Sequence, residues 1–108
     1  MSKDLITPIM RIQIELAIAK ARNDLHALPS LEIEAKHLAL SGAEIDAAKR
    51  GSSFDLIADI AVKLALAIKA GDEEVSTVAR RQLTVFGIPE IVSELLAFIK
   101  EPELPPPK

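Results

Sequence analysis

Residues 54–71 read FDLIADIAVKLALAIKAG. Asp55, Asp59 and Lys63 recur every four residues and share one narrow stripe of an α-helix, whereas nearly every other position is apolar. Gly71 offers the left-handed conformation that closes a helix, and Ser52 or Ser53 offers a cap at the other end. The stretch therefore predicts a helix from Phe54 to Ala70, the most buried of the fold.

The same punctuation repeats on both sides. Downstream, Asp72 caps a helix to about Phe86, Gly87 stops it, and Pro89 opens a last one ending near Lys100. Upstream, Ser41-Gly42-Ala43-Glu44 has the S-x-x-E form of a capping box, which predicts a short helix over Ala43–Arg50 that stops at Gly51. Pro29-Ser30 starts a further helix through about Leu40, with Leu31, Ala35 and Leu38 inward, and Asn23-Asp24 breaks the pattern before it. Thr7-Pro8 begins the first helix, through about Arg22. Ile9, Ile12, Leu16 and Ala19 line one of its faces and Ile14, Ala17, Ile18 and Ala21 broaden it, leaving Arg11, Gln13, Glu15, Lys20 and Arg22 for water.

No β-alternation or internal repeat interrupts this series, so the fold class is all-α. We expect a compact orthogonal bundle of about six helices over residues 1–100, with Phe54, Phe86 and Phe98 as core anchors. Residues 101–108 hold four of the seven prolines and read as an extended, poorly ordered tail.

The chain has 108 residues, 49% of them hydrophobic. So apolar a composition in so short a chain leaves surface that subunits would share, which predicts a homo-oligomer assembled through the fourth and neighbouring helices. A net charge of −3 with no basic run argues against nucleic acid as a partner. No segment reaches about 18 uninterrupted apolar residues and the start lacks a signal-peptide pattern, so no membrane partner is expected and the cytoplasm is the default location. The chain has no cysteine, which excludes disulfides, thiolate metal sites and thiol nucleophiles. There is no glycine-rich phosphate loop, and no cofactor is implied.

Two patterns carry candidate chemistry. Glu34-Ala35-Lys36-His37 is an E-x-x-H spacing, which sets a carboxylate and an imidazole on neighbouring positions of one helix face, as metal-binding helical bundles do; its plain alternative is a solvated Glu–His pair. His26 sits in a loop beside Asp24, where a carboxylate can hold the ring and raise its basicity; its plain alternative is polar surface. Glu15, on the first helix, is the nearest further carboxylate for such a cluster. Glu73 and Glu74 suit the positive end of a helix dipole, and the adjacent Arg80 and Arg81 read as solvated.

The order of these pieces resembles the carboxymuconolactone decarboxylase-like, or alkylhydroperoxidase D-like, helical proteins, and the likeness covers most of the chain. Leu16-Ala17-Ile18-Ala19-Lys20-Ala21 is similar to the alanine-rich helix before that family's redox loop, and Ala39-Leu40-Ser41-Gly42-Ala43-Glu44-Ile45 to the turn and helix after it. Ser53-Phe54-Asp55 and Phe86-Gly87-Ile88-Pro89-Glu90-Ile91 look like the openings of later helices. Aligned in this way, Asp24 and Ala27 stand where redox members carry the two cysteines of CxxC, Ser30 and Leu31 fall near their histidine, and Ile12 takes the place of a glutamate.

The resemblance thus implies the family's helical, oligomeric fold without its thiol peroxide reduction. Three functional expectations follow. The first is a thiol-less family member of unassigned activity. The second is an enzyme using Glu15, Asp24 and His26 in acid–base work on a small organic acid or lactone. The third is a helical scaffold whose surface, or whose PxxP pattern at Pro102 and Pro105, recruits a partner.

Overall fold

The computed structural model describes residues 6–100. Six helices follow in order: α1 (Pro8–Ala21), α2 (Ala27–His37), α3 (Gly42–Lys49), α4 (Leu56–Ala70), α5 (Glu73–Val85) and α6 (Glu90–Lys100). Among the described residues there is no strand, and no helix is long and apolar enough to cross a membrane. The radius of gyration is 13.6 Å, close to the ~13 Å of a folded chain of about 100 residues.

Side chains start most of these helices as the sequence suggests. Thr7 Oγ1 accepts from the Met10 N–H ahead of α1, Asp72 Oδ1 from the Val75 N–H ahead of α5, and Ser41 with Glu44 forms the complete capping box of α3. The start of α4 differs from expectation. Asp55 is the cap, its Oδ2 accepting from the Ala58 N–H at 2.8 Å, while Ser53 lies in the preceding loop.

The helix ends share one device. After α1 to α5 a residue of positive φ follows the last turn: Asn23, Ala39, Gly51, Gly71 and Gly87. The next N–H then reaches back five residues to a carbonyl of that turn: Asp24 to Ala19, Leu40 to Ala35, Ser52 to Ala47, Asp72 to Ala67 and Ile88 to Leu83, all at 2.8–3.0 Å. Each corner satisfies carbonyls the helix leaves open.

Burial is organised around α1, which is apolar on two opposite sides rather than on one broadened face. Met10, Ile14 and Ala17 belong to a large core with α4, α5 and α6, while Ile12, Leu16 and Ala19 belong to a smaller core with α2, α3 and Leu40. The two triplets keep the same i, i+4, i+7 spacing and lie about 160° apart around the helix. α1 is therefore a wall between two half-cores. Two narrow strips remain along it, one bearing Arg11, Glu15 and Ile18, the other Gln13 and Lys20.

Two expectations change here. Gln13 is buried, because its strip is closed by the 51–53 loop, whose Ser53 Oγ accepts from Gln13 Nε2 at 3.2 Å; Gln13 Oε1 has no partner. Phe54 and Phe86 are not core anchors: they stand in the turns flanking α4 and α5 and are 70% and 47% exposed. Phe98 packs against the large core as expected. α4 is enclosed by α1, α5 and α6, with Ala61, Val62, Leu64 and Ala65 wholly buried, so most of its apolar surface is used within the protomer.

Asp59 ties this centre to the loop before it. Its Oδ1 accepts from the Ser53 N–H at 2.9 Å and from Lys63 Nζ at 2.6 Å, and Lys63 also reaches the Gly51 carbonyl at 3.4 Å. The polar stripe legible in residues 54–71 thus holds the α3–α4 connection.

Candidate functional site

On one side of α1 the two half-cores fail to meet, and the gap is a cleft of about 400 Å³. Arg11, Glu15, Ile18, Ala19 and Arg22 line it from α1 at the spacing of a single helical face, with Ile18 and Ala19 as its floor and the exposed Arg11 and Arg22 toward solvent. The smaller half-core supplies Ala27 and Leu31 from α2; the larger supplies Phe98 and Ile99 from α6, with Lys69 from the last turn of α4. The volume falls within the range of small-molecule pockets.

Three cations (Arg11, Arg22, Lys69) and two carboxylates (Glu15, Asp24) surround an apolar interior of Ile18, Leu31, Phe98 and Ile99. The Arg11 guanidinium lies over the Phe98 ring, 4.5 Å from its centroid. That contact holds the exposed Arg11 against the α6 side of the cleft.

The sequence candidates divide. Glu15 and Asp24 both line the cleft, brought there by the α1 face and by the corner after it. Asp24 is also a structural cap: its Oδ1 accepts from the His26 and Ala27 N–H groups at 3.2 and 3.1 Å, and its carbonyl from the Leu28 N–H. His26 contributes its backbone to that cap, but its exposed side chain is not among the cleft-lining residues. The structure thus brings Glu15 and Asp24 to one site and leaves the imidazole of His26 off it.

Glu34 and His37 are exposed on α2. Among the described residues no group of three or more His, Cys, Asp or Glu side chains forms a metal site, so this pair has no third ligand there. Sequence reasoning missed Arg11, Lys69 and Phe98 as site residues. Arg11 and Glu15 share a face four residues apart, a readable signal, but Lys69 and Phe98 are 58 and 87 residues beyond Arg11 and only the tertiary fold unites them. Comparison of the chain with known protein families, curated proteins and solved structures returns no match in any of the three.

Proposed function

We propose that this chain is a thiol-free helical protein of the carboxymuconolactone decarboxylase-like type that binds a small organic acid in the α1–α2–α6 cleft. The observation that carries the reading is the setting of Arg11 and Lys69 at the rim of an apolar interior floored by Ile18 and walled by Leu31 and Phe98. A carboxylate held by the cations would leave its hydrocarbon part on those side chains. Of the sequence candidates for acid–base work, Glu15 and Asp24 line this cleft. Asp24 Oδ1 is occupied by the α2 cap, and His26 lies off the lining. The chain works as a homo-oligomer, as its apolar composition suggests.

The test is an NMR titration with benzoate, an aliphatic dicarboxylate and the neutral analogue benzamide. Shifts clustered at residues 11–31, 69 and 98–99, with at least tenfold weaker binding of benzamide, about 1.4 kcal/mol, are expected. Lys69→Ala and Arg11→Gln should each weaken the acids. Equal affinity for benzoate and benzamide, or shifts away from the cleft, would overturn the reading.

A further inference from the structure

Helices α1 and α6 advance in the same sense past one another. The Ile6 N–H donates to Glu94 Oε1 at 3.1 Å, and further along both segments the Arg11 guanidinium stands 4.5 Å from the Phe98 ring centroid, so position along α6 rises with position along α1. α6 then ends at Lys100, just beyond Phe98, whereas α1 runs on from Arg11 to Ala21, about 15 Å further at 1.5 Å per residue. The cleft lies along that excess length, with Glu15, Ile18 and Arg22 on its α1 side. The chain therefore leaves α6 beside Arg11, with the rest of the cleft ahead of it.

The segment that follows is Glu101-Pro102-Glu103-Leu104, continued by three prolines and Lys108. These residues lie outside the described ones, and their sequence reads as extended: Pro102 disfavours carrying the helix through Glu101, and a proline-rich chain rises about 3.1 Å per residue. Residues 101–104 then span roughly 12 Å, enough to follow the cleft from Arg11 toward Arg22. Little loop entropy opposes this, because the segment starts two residues after Ile99, which itself lines the cleft. Its prolines also leave little backbone freedom to be lost on docking.

The chemistry of the two surfaces matches. The lining sets Arg11, Arg22 and Lys69 against Glu15 and Asp24, and Asp24 Oδ1 is already committed to the α2 cap. Ile18 and Leu31 are only half-buried, so apolar surface is open between those charges. Glu101 and Glu103 supply two carboxylates and Leu104 an apolar side chain, with Lys108 four residues beyond. The segment thus joins anion to hydrocarbon, as an organic acid does.

We infer that residues 101–104 lie along the α1–α2–α6 cleft as an internal ligand, Glu101 and Glu103 on its cations and Leu104 over Ile18 and Leu31, and that an incoming organic acid must displace them. Docking of the segment stands on the cleft alone; the competition rests on the reading of the cleft as an organic-acid site. A segment docked for about two-thirds of the time weakens the apparent affinity for such an acid about threefold.

The absence of cysteine lets a single nitroxide be placed on Pro106→Cys in the full chain. The label should broaden the amide signals of Ala19, Ala27 and Leu31 and spare those of residues 81–85, at the far end of α5. Saturating benzoate should remove the broadening. Glu101→Lys, Glu103→Lys and Leu104→Ser together should also remove it with the remaining spectrum unchanged, and without the label this triple variant should bind benzoate about threefold more tightly than the unsubstituted chain. No broadening at the cleft, broadening that survives the triple substitution, or broadening passed from a labelled chain to an unlabelled ¹⁵N copy mixed with it would each overturn the inference. Equal benzoate affinity with and without the triple substitution would overturn the competition. Cleft broadening in a chain that binds no benzoate in either form would support the docking and overturn the organic-acid reading.

Discussion

Gly51→Ala tests the corner that brings α3 back toward α4. Gly51 has φ +82, where a Cβ costs about 1–2 kcal/mol for an L-residue. The added methyl would also stand 2.9 Å from Leu66 Cδ1. Leu66 is half-buried against the large core, so its displacement adds about 1–2 kcal/mol of overpacking. The stiffer unfolded chain returns about 0.5 kcal/mol. The net expectation is a loss of about 2–3 kcal/mol, a substantial part of the ~5–15 kcal/mol that holds a small domain together.

Gly71→Ala is the control. Its φ is similar, +73, but nothing lies within 4 Å of the new Cβ, so the strain remains alone and the loss should be about 1 kcal/mol. Urea unfolding followed by circular dichroism, at one protein concentration, reads both. Equal losses for the two variants would refute the Leu66 contact. So would a Leu66→Ala background in which Gly51→Ala costs as much as before.

The other expectations are smaller in scope. Ala39→Gly relieves a left-handed alanine at the corner after α2 and should stabilise by about 0.5–1 kcal/mol in the same urea assay. Asp24→Ala should cost about 1 kcal/mol through loss of the α2 cap, while Asp24→Asn should keep nearly all the stability; a full loss in Asn would show that its charge, not its cap, holds the turn. Asp59→Ala should cost about 1–2 kcal/mol because the Ser53 N–H loses its acceptor, whereas Lys63→Met, which removes a half-exposed ion pair and a long 3.4 Å hydrogen bond to the Gly51 carbonyl, should cost under about 1 kcal/mol by thermal denaturation. Leu64→Ala, at a fully buried site in α4, should cost about 2–5 kcal/mol.

Helix number and order were legible because the start and stop chemistry is local. The capping box at Ser41 and Glu44 and the glycines at 51, 71 and 87 each act within a few residues of themselves. Asn23 and Ala39 end helices in the same way without glycine, and the chain pattern marks Ala39 poorly because alanine is also the best helix former. α2 starts at Ala27, two residues before Pro29, because Asp24 Oδ1 accepts from the His26 and Ala27 N–H groups, which the proline does not signal. The double-sided burial of α1 was hidden for a different reason. An apolar count around a helix cannot say whether one neighbour or two will cover it, and Gln13 therefore reads as a water-facing residue from the sequence alone. Of the candidate site, Glu15 and Asp24 were legible by local position; Lys69 and Phe98 needed the packing of α4 and α6 on α1.

The wall formed by α1 also sets how the molecule opens. α2 and α3 pack chiefly on α1, and the Lys49–Glu32 ion pair at 3.0 Å ties these two helices to each other. The smaller half-core can therefore come away as one cooperative unit while α4, α5 and α6 stay docked, at a free energy below that of global unfolding. Amide protons of α2 and α3 should then exchange faster than those of α4, and in step with each other. Since Ala27 and Leu31 ride on that unit and Phe98 and Ile99 do not, each such excursion parts the two sides of the cleft and admits a ligand without disturbing the larger half of the fold.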